Sequence, residues 1–278
     1  MKLYNRPIIK EEDEKIVNPI KVSIVIAILN SPEIVRRQVL HFNSINLSND
    51  VEVIFVDDGS EPPLNREDYK TNFNFSIYHT NDKRPWTQPA ARNLGAKKAK
   101  GIYCIFTDID HIITKELIEI AKNPTHDVIR FKRQAAILDV NGNFTQDHNE
   151  LKKWGLLPRY FRRDLRLPPH GNSYIFRTGF YIGLGGVDTR YVGTGAYPNR
   201  EEVPLKRKLK QLLSENRVTI LDGDSRPTIY MFPNGKYCGD KDFNPFGFFH
   251  DTTRKNNKYR RREASRKKTN KQKRRERE

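Results

Sequence analysis

The sequence contains few cysteines and no long apolar stretch, and both absences limit what the protein can be. Only two of its 278 residues are cysteine. One disulfide is possible on that count, but no other feature indicates an oxidising compartment, so we expect a reducing one. No apolar run approaches the roughly 20 residues that a helix needs to cross a bilayer. Residues 1–18 carry scattered charges and no apolar core, so we expect no signal peptide. These features favour a cytoplasmic protein, free or held peripherally at the inner face of a membrane.

Acidic residues are scarce at the C-terminus. Residues 254–278 hold 14 Lys and Arg but only three Glu, which places +11 of the formal net charge of +17 in this segment. A segment with so few apolar residues cannot bury a core, so we expect residues 252–278, here called the basic tail, to be disordered or a solvated helix. Its role is either to solubilise the protein or to contact a polyanion, such as a nucleic acid or an anionic membrane surface.

Three apolar segments predict buried strands, and a helix lies between the first two. Apolar residues at helical spacing indicate the helix from Pro32 to Phe42, in which Arg36, Arg37 and Gln38 are polar. Nearly apolar strands joined by a helix are typical of a parallel sheet that is covered on both faces. Ligands bind beyond the carboxyl ends of such strands, so we expect the polar residues that follow each strand to converge. The predicted strands are residues 22–29, 51–56 and 101–106.

Asp108 and Asp110 form an Asp-x-Asp motif directly after the third predicted strand. Two carboxylates at the end of a buried strand are costly unless a positive group pairs with them. Carboxylate oxygens suit Mg²⁺ or Mn²⁺, which usually share their coordination shell with substrate phosphates. A lone Asp-x-Asp would more simply be a surface turn. The polar residues that follow the other two strands are what favour a metal site here.

The order of four motifs resembles that of family 2 glycosyltransferases. This resemblance implies the glycosyltransferase A fold, an α/β fold in which a Rossmann-like, mostly parallel sheet is flanked by helices. It is good from about residue 21 to 114 and weaker from 172 to 250. The motifs are Val22-Ser-Ile-Val-Ile-Ala-Ile-Leu-Asn30, Val56-Asp-Asp-Gly-Ser60, Ala91-Arg-Asn-Leu-Gly95 with Ala99-Lys-Gly101, and Asp108-Ile-Asp110.

The resemblance and the charge distribution together divide the chain into four parts. Residues 1–20 lead into the domain, and residues 21–115 are expected to bind a nucleotide sugar. Residues 116–251 are expected to form the acceptor-binding half of the same domain, and residues 252–278 are the basic tail.

The donor is expected at the ends of the predicted strands. Asp58 can accept a hydrogen bond from the imide N–H of a uracil ring, and Arg92 can face the diphosphate or nearby carboxylates. The alternative for Asp57 and Asp58 is turn capping, because Asp-Gly-Ser is an ordinary turn sequence. Ala27 and Leu29 stand where the family usually has Pro and Tyr. The expected donor-binding residues are Ala27, Asn30, Asp57, Asp58, Arg92 and Asp108.

The resemblance implies that Mn²⁺ or Mg²⁺ is the cofactor. Asp110 is expected to bind the ion directly, and Asp108 to contact the ribose or the waters of the ion. His250 is the candidate for a third ligand from late in the chain. His111 is either a ligand or an ion-pair partner of the adjacent aspartate.

The second half is expected to hold the acceptor and the general base. Gly185, Gly186 and Asp188 resemble the family's Gly-Gly-aromatic-Asp segment, and Trp86 is expected either to stack on a sugar or base or to pack in the core. The family often has Glu-Asp-x-x-Leu at a helix start, with the Asp as general base; Glu202 takes that place here, beside Glu201. The alternative is that both glutamates merely favour a helix N-terminus.

Together these features predict an inverting, metal-assisted glycosyltransferase with a UDP-linked donor. The acceptor hydroxyl belongs to a glycan, a lipid-linked glycan or a nucleic acid. The alternative is a protein of the same fold that binds nucleic acid through its basic tail without catalysis.

Overall fold

In the computed structural model, the protein is described at residues 19–84, 87–153, 166–167, 173–192 and 203–232. None of the helices in these ranges has the length and apolar content that crossing a membrane requires. The strands are β1 Val22–Ile28, β2 Val51–Asp57, β3 Asn74–His79, β4 Tyr103–Asp108, β5 His111–Ile112, β6 Val128–Arg130, β7 Lys132–Ala135, β8 Ile137–Leu138, β9 Phe144–Thr145, β10 Arg166–Leu167, β11 Tyr174–Arg177, β12 Ile220–Leu221 and β13 Thr228–Met231. The α-helices are α1 Pro32–Ser44, α2 Gln88–Lys98, α3 Lys115–Lys122, α4 His148–Lys153, α5 Thr178–Gly183 and α6 Val203–Ser214.

The main sheet has seven strands in the order β12-β6-β11-β4-β1-β2-β3. All its strands run parallel except β11, which pairs antiparallel with both β4 and β6. A smaller sheet has the order β10-β7-β13-β5, and β8 pairs with β9 in a separate hairpin. The predicted α/β architecture with a mostly parallel sheet is therefore confirmed.

The predicted elements lie close to the observed ones, with differences at their ends. The first two strands and the helix between them are confirmed, although α1 continues to Ser44. The third strand begins at Tyr103 rather than Gly101 and includes Asp108 as its last residue. Helix α2 begins at Gln88, and Pro89 suits its first turn.

Two hydrophobic clusters cover the two faces of the main sheet. On one face, alternate residues of β1 and β2 pack with α1 and α3. On the other face, Val25, Ala27, Ile54 and Val56 pack with α2, α5 and α6; we call these three helices the α2–α5–α6 layer. Each fully buried aliphatic side chain contributes about 1.5–3 kcal/mol to stability. The near absence of polar residues in β1 and β2 thus follows from burial on both sides.

A buried hydrogen-bond network fixes where β4 starts relative to β1 and β2. The Glu52 carboxylate accepts from the Ser23 hydroxyl at 2.6 Å and from the Lys100 backbone N–H at 2.7 Å. Ser23 in turn accepts from the Gly101 N–H at 2.8 Å. A Cβ on Gly101 would lie 2.5 Å from the Ser23 nitrogen, so only glycine fits this approach. The network therefore helps to fix the register of the three strands relative to one another.

Candidate active site

The carboxyl ends of β1, β2 and β4 lie side by side because the three strands are parallel and their register brings their last residues opposite one another. Ala27 of β1 lies opposite Val56 of β2 on one side and Asp108 of β4 on the other. The polar residues that follow these strands consequently share one edge of the sheet, which is where an open α/β sheet binds its ligands.

Asp108 is held by two donors from α2. The Arg92 guanidinium is 1% exposed, and its Nη2 donates a charge-assisted hydrogen bond to Asp108 Oδ1. Gln88 Nε2 donates to the same oxygen from 2.9 Å. The structure thus places Arg92 against a carboxylate, one of the two kinds of partner that the sequence suggested for it. Such pairs are among the stronger hydrogen bonds in proteins and fix the orientation of the carboxylate.

Asp108, Asp110 and His111 bring three potential ligand atoms together. One carboxylate oxygen from each aspartate and one ring nitrogen of His111 lie within 4.8 Å of one another. Asp110 Oδ1 is 2.8 Å from Nδ1 of His111, whose ring is almost completely buried. The chain turns between β4 and β5, so both aspartates face the same space although they are two residues apart. Two carboxylates with one imidazole form a donor set that fits Mn²⁺, and the carboxylates alone suit Mg²⁺.

A buried glutamine supports this turn from the core. Gln38 of α1 is fully buried, and its Nε2 donates to the carbonyl oxygens of Ile109 at 2.8 Å and His111 at 2.7 Å. These carbonyls flank Asp110, so both amide hydrogens of Gln38 fix the backbone that carries this carboxylate. In the sequence, Gln38 stands out only as a polar residue of the predicted helix. The signal for its burial was its position four residues from both Ile34 and Phe42, on the apolar stripe.

His41 supports the same segment one helical turn further along. Its Nε2 lies 2.9 Å from the carbonyl oxygen of Ile113. Burial lowers the pKa of His41 below its ordinary value, although backbone hydrogen bonds oppose the shift. The neutral ring is therefore favoured, with its Nε2 hydrogen directed at the carbonyl. Helix α1 thus contacts the segment from Ile109 to Ile113 through two buried polar side chains.

Asp57 and Asp58 differ in what their carboxylates contact. Asp57 accepts backbone hydrogen bonds from Ser60 and Leu64, each at 2.8 Å, and is 1% exposed. This is the capping arrangement that the sequence left open for Asp57. Asp58 is also buried, and that burial raises the pKa of its carboxyl to about 7, while hydrogen bonds from Thr87 and Thr80 oppose the shift. Asp58 is therefore poised to change its charge near neutral pH.

Asn30 and Ala27 lie at the end of β1, beside the strand that Asp58 follows. Asn30 has the left-handed backbone φ of 47°, which asparagine tolerates better than most residues. Its side-chain oxygen accepts from the Glu61 N–H and its own N–H donates to the Ser60 hydroxyl, both at 2.8 Å. Asn30 therefore ties the end of β1 to the loop after β2. The Ala27 side chain is buried in the cluster beneath the α2–α5–α6 layer.

Arg133 is a further cation near the aspartates, and none of the sequence motifs includes it. It lies in β7 of the smaller sheet and is half-buried. Burial lowers the pKa of Arg133, and the charges of Asp110 and Asp108 oppose that shift. The two carboxylates therefore face positive charge from two elements, Arg92 of helix α2 and Arg133 of strand β7.

The predicted acceptor loop is attached to α2 through Asn93. Its Nδ2 donates to the carbonyl of Val187 at 2.9 Å, and its Oδ1 accepts from the Val187 N–H at 3.1 Å and the Tyr181 hydroxyl at 2.9 Å. One amide side chain thus satisfies both backbone groups of a loop residue, as a neighbouring strand would. Gly185 and Gly186, directly before Val187, have positive φ angles of 85° and 65°.

Asp188 follows this loop and has a partner of its own. Its carboxylate accepts from the Arg190 backbone N–H at 2.9 Å and from the Arg190 guanidinium at 2.5 Å. These hydrogen bonds lower the pKa of Asp188. A carboxylate with a lowered pKa is a weak base, so the geometry suits positioning better than proton abstraction.

We expect Gly186→Ala to unfold the protein at a lower temperature than Gly185→Ala does. A Cβ on Gly186 would lie 2.2 Å from Asn93 Oδ1. A Cβ on Gly185 would have none of the surrounding atoms within 4 Å. Both changes carry the cost of a left-handed backbone, about 1–2 kcal/mol. The difference in melting temperature therefore reports mainly the contact with Asn93, with a smaller part from Tyr181 Cε1 at 3.1 Å. Thermal unfolding measures the difference in melting temperature between the two variants, and Gly183→Ala serves as an unstrained control. Equal melting temperatures for the first two variants would show that Asn93 does not fix the loop.

Several predicted site residues lie outside the described residues. They are Trp86, Glu201, Glu202 and His250, together with residues 1–18 of the lead and the basic tail. Cys238 also lies outside, whereas Cys104 is a buried free thiol in β4.

Comparison with known proteins identifies one family. The model of "Glycosyl transferase family 2" matches residues 23–182, more than half of the chain. The comparison with curated protein sequences finds no match. Among solved structures, residues 1–349 of TarS from S. aureus are 20% identical with a TM-score of 0.44, covering 76% of this chain and 60% of that one. The mannosyltransferase PcManGT from Pyrobaculum calidifontis, in complex with GDP-Man and Mn²⁺, is 12% identical with a TM-score of 0.44, covering 80% and 58%. The chain thus spans about 60% of the length of these two structures.

Proposed function

The chain belongs to glycosyl transferase family 2, and from that premise we propose that it transfers a sugar from a nucleoside diphosphate donor to an acceptor hydroxyl group. The predicted family and its class of enzyme, a transferase, are confirmed. One observation supports the proposed donor most strongly. Asp58, Arg92, Asp108 and Asp110 lie together where the parallel strands β1, β2 and β4 end.

The base of the donor is a uracil held by Asp58. The carboxylate is buried at the end of β2, and in its ionised form it accepts a hydrogen bond from the imide N–H. Its pKa of about 7 reflects burial, and an N–H donor from the ligand would favour the charged form. Thr80 and Thr87 already donate to this carboxylate and orient it.

The diphosphate lies over the Asp-x-Asp turn, where Asp110, Asp108 and His111 would hold Mn²⁺ or Mg²⁺. A bound ion supplies Lewis-acid stabilisation of the charge that develops on the leaving diphosphate. Arg92 orients Asp108, and Gln38 fixes the backbone on both sides of Asp110. Arg133 adds a positive charge from the smaller sheet, which favours an anionic ligand in the same space.

The acceptor lies beside the loop that Asn93 holds, with Gly185, Gly186 and Asp188 as its contacts. Glu202 accepts the proton of the attacking hydroxyl, with Glu201 as the neighbouring carboxylate. Attack from the face opposite the leaving group inverts the anomeric carbon without a covalent intermediate. Trp86 and His250 retain their proposed roles in acceptor stacking and metal binding.

The acceptor class follows from charge more than from the motifs. A glycan, a lipid-linked glycan and a nucleic acid all offer a hydroxyl group, and the last two bring negative charge to a chain of net charge +17. The basic tail is proposed to hold such a polyanion or an anionic membrane surface. A cytoplasmic location at the inner face of a membrane is part of the same proposal.

The proposed donor is tested by thermal stabilisation of the full chain with nucleoside diphosphates and nucleotide sugars, with and without Mn²⁺. We expect uridine compounds to stabilise most. Their affinity should fall by about tenfold per pH unit below pH 7, because Asp58 must give up its proton to accept from uracil. The Asp58→Asn variant serves as the control, since its amide cannot titrate and its profile should be flatter. Tighter binding of guanosine or adenosine compounds, or equal pH profiles for both proteins, would contradict this role for Asp58.

A further inference from the structure

The helices of the α2–α5–α6 layer contain no acidic residue. Their sequences, residues 88–98, 178–183 and 203–214, include neither Asp nor Glu. Lys208 Nζ donates to the Leu184 carbonyl at 2.8 Å and so joins α6 to the end of α5. The exposed cations of the layer are Lys97, Lys98, Lys206, Arg207, Lys208 and Lys210.

The helices on the opposite face of the main sheet have mixed charge. Helix α1 contains Glu33 with Arg36 and Arg37, and α3 contains two glutamates and two lysines. Glu33 pairs with Arg36, and Lys122 with Glu119. Most of the surplus positive charge in the described helices therefore belongs to one face of the main sheet and does not simply follow from a basic composition.

Exposed aliphatic side chains accompany these cations. The large hydrophobic residues exposed in the described part of the chain are Ile102, Phe144, Ile182 and Leu213. Ile182 and Leu213 lie in α5 and α6, with 43% and 46% of their surfaces exposed. The Ile102 carbonyl accepts from the Thr178 N–H at 2.9 Å, so Ile102, 54% exposed, adjoins the start of α5. Three of these four hydrophobic residues thus lie in or beside the α2–α5–α6 layer.

We propose that the α2–α5–α6 layer is a docking surface for an anionic lipid bilayer. Exposed lysines and arginines are attracted to anionic headgroups, and aliphatic side chains among them enter the boundary between headgroups and acyl chains. A nucleic acid would satisfy the cations but not the aliphatic residues. Single strands favour aromatic side chains on which bases can stack, and the three exposed large hydrophobic residues in or beside this layer are all aliphatic.

This surface borders the proposed acceptor loop. The carbonyl that accepts from Lys208 belongs to Leu184, directly before Gly185 and Gly186. Docking would therefore place the acceptor loop close to the headgroups, which suits a lipid-linked acceptor. That consequence depends on the proposed sugar transfer, whereas the docking does not, because vesicle binding is measured without donor or acceptor.

Co-sedimentation of the full chain with vesicles tests the docking. The layer variant Lys98→Gln/Arg207→Gln/Lys210→Gln is compared with the control variant Arg36→Gln/Lys70→Gln/Lys115→Gln, whose exposed cations lie outside the layer. Both lose three positive charges and both keep the basic tail, so only the location of the charge differs. On vesicles of phosphatidylcholine with phosphatidylglycerol, we expect the layer variant to bind about 100-fold more weakly than the control variant.

A third variant separates a bilayer from other polyanions. Ile182→Ser/Leu213→Ser should bind the same vesicles about tenfold more weakly than the unmodified chain, and duplex DNA with unchanged affinity. Equal vesicle binding by the layer and control variants would overturn the proposal. So would a loss by the layer variant that is confined to duplex DNA, since the layer would then be a polyanion surface. Sugar transfer can fail in every assay without changing these outcomes.

Discussion

Asp110→Asn should abolish the Mn²⁺-dependent stabilisation of the protein by UDP and lower turnover by about 1,000-fold. A metal ion stabilises the leaving diphosphate by several kcal/mol, and a loss of roughly 4 kcal/mol corresponds to this factor. Asp110 and Asp108 differ in their surroundings, because Asp108 already accepts from Arg92 and Gln88 while Asp110 contacts His111. Asp110 is therefore the carboxylate whose loss should act mainly through the ion.

Isothermal titration with Mn²⁺ in the presence of UDP measures this directly. Asp68→Asn makes the same chemical change at an exposed position of a 3₁₀ helix and serves as the matched control. Melting temperatures without ligand check that neither variant disturbs the fold. If Asp110→Asn binds Mn²⁺ and UDP as tightly as the control does, the metal role of the Asp-x-Asp motif is wrong.

The sequence could predict the strands and the place where they converge because those signals are local. Continuous apolar runs mark β1, β2 and β4, and parallel pairing brings their ends together whatever the rest of the chain does. Asp58, Asp108 and Asp110 follow these runs directly, so the motif order was enough to locate them.

Residues that support the site were not predictable in the same way. Gln38 contacts carbonyls that lie 71 and 73 residues away in the chain, and Asn93 contacts Val187 across 94 residues. Their partners are backbone groups, which leave no mark on the side-chain sequence. Arg133 lies in a four-residue strand of the smaller sheet, where neither length nor periodicity gives a strong pattern.

Glu202→Gln should leave donor binding intact and lower turnover by at least about 100-fold. General-base catalysis contributes about 100- to 10,000-fold, and glutamine keeps the size of the side chain while losing its basicity. Glu202 directly precedes α6, whose Lys208 contacts the segment before the acceptor loop. Asp188, which follows that loop, accepts hydrogen bonds from Arg190, and these lower the pKa of its carboxyl.

A comparison of three variants identifies the base. Glu201→Gln and Asp188→Asn remove the competing carboxylates, and each variant is measured for UDP affinity, turnover and melting temperature. We expect Asp188→Asn to lower the melting temperature, because it removes the charged partner of Arg190, and to raise KM for the acceptor more than it lowers kcat. Only loss of the base should lower kcat while donor affinity and stability stay unchanged. If Glu201→Gln or Asp188→Asn gives that pattern and Glu202→Gln does not, the base lies elsewhere in the acceptor half, and the match of Glu202 to the family's aspartate is wrong.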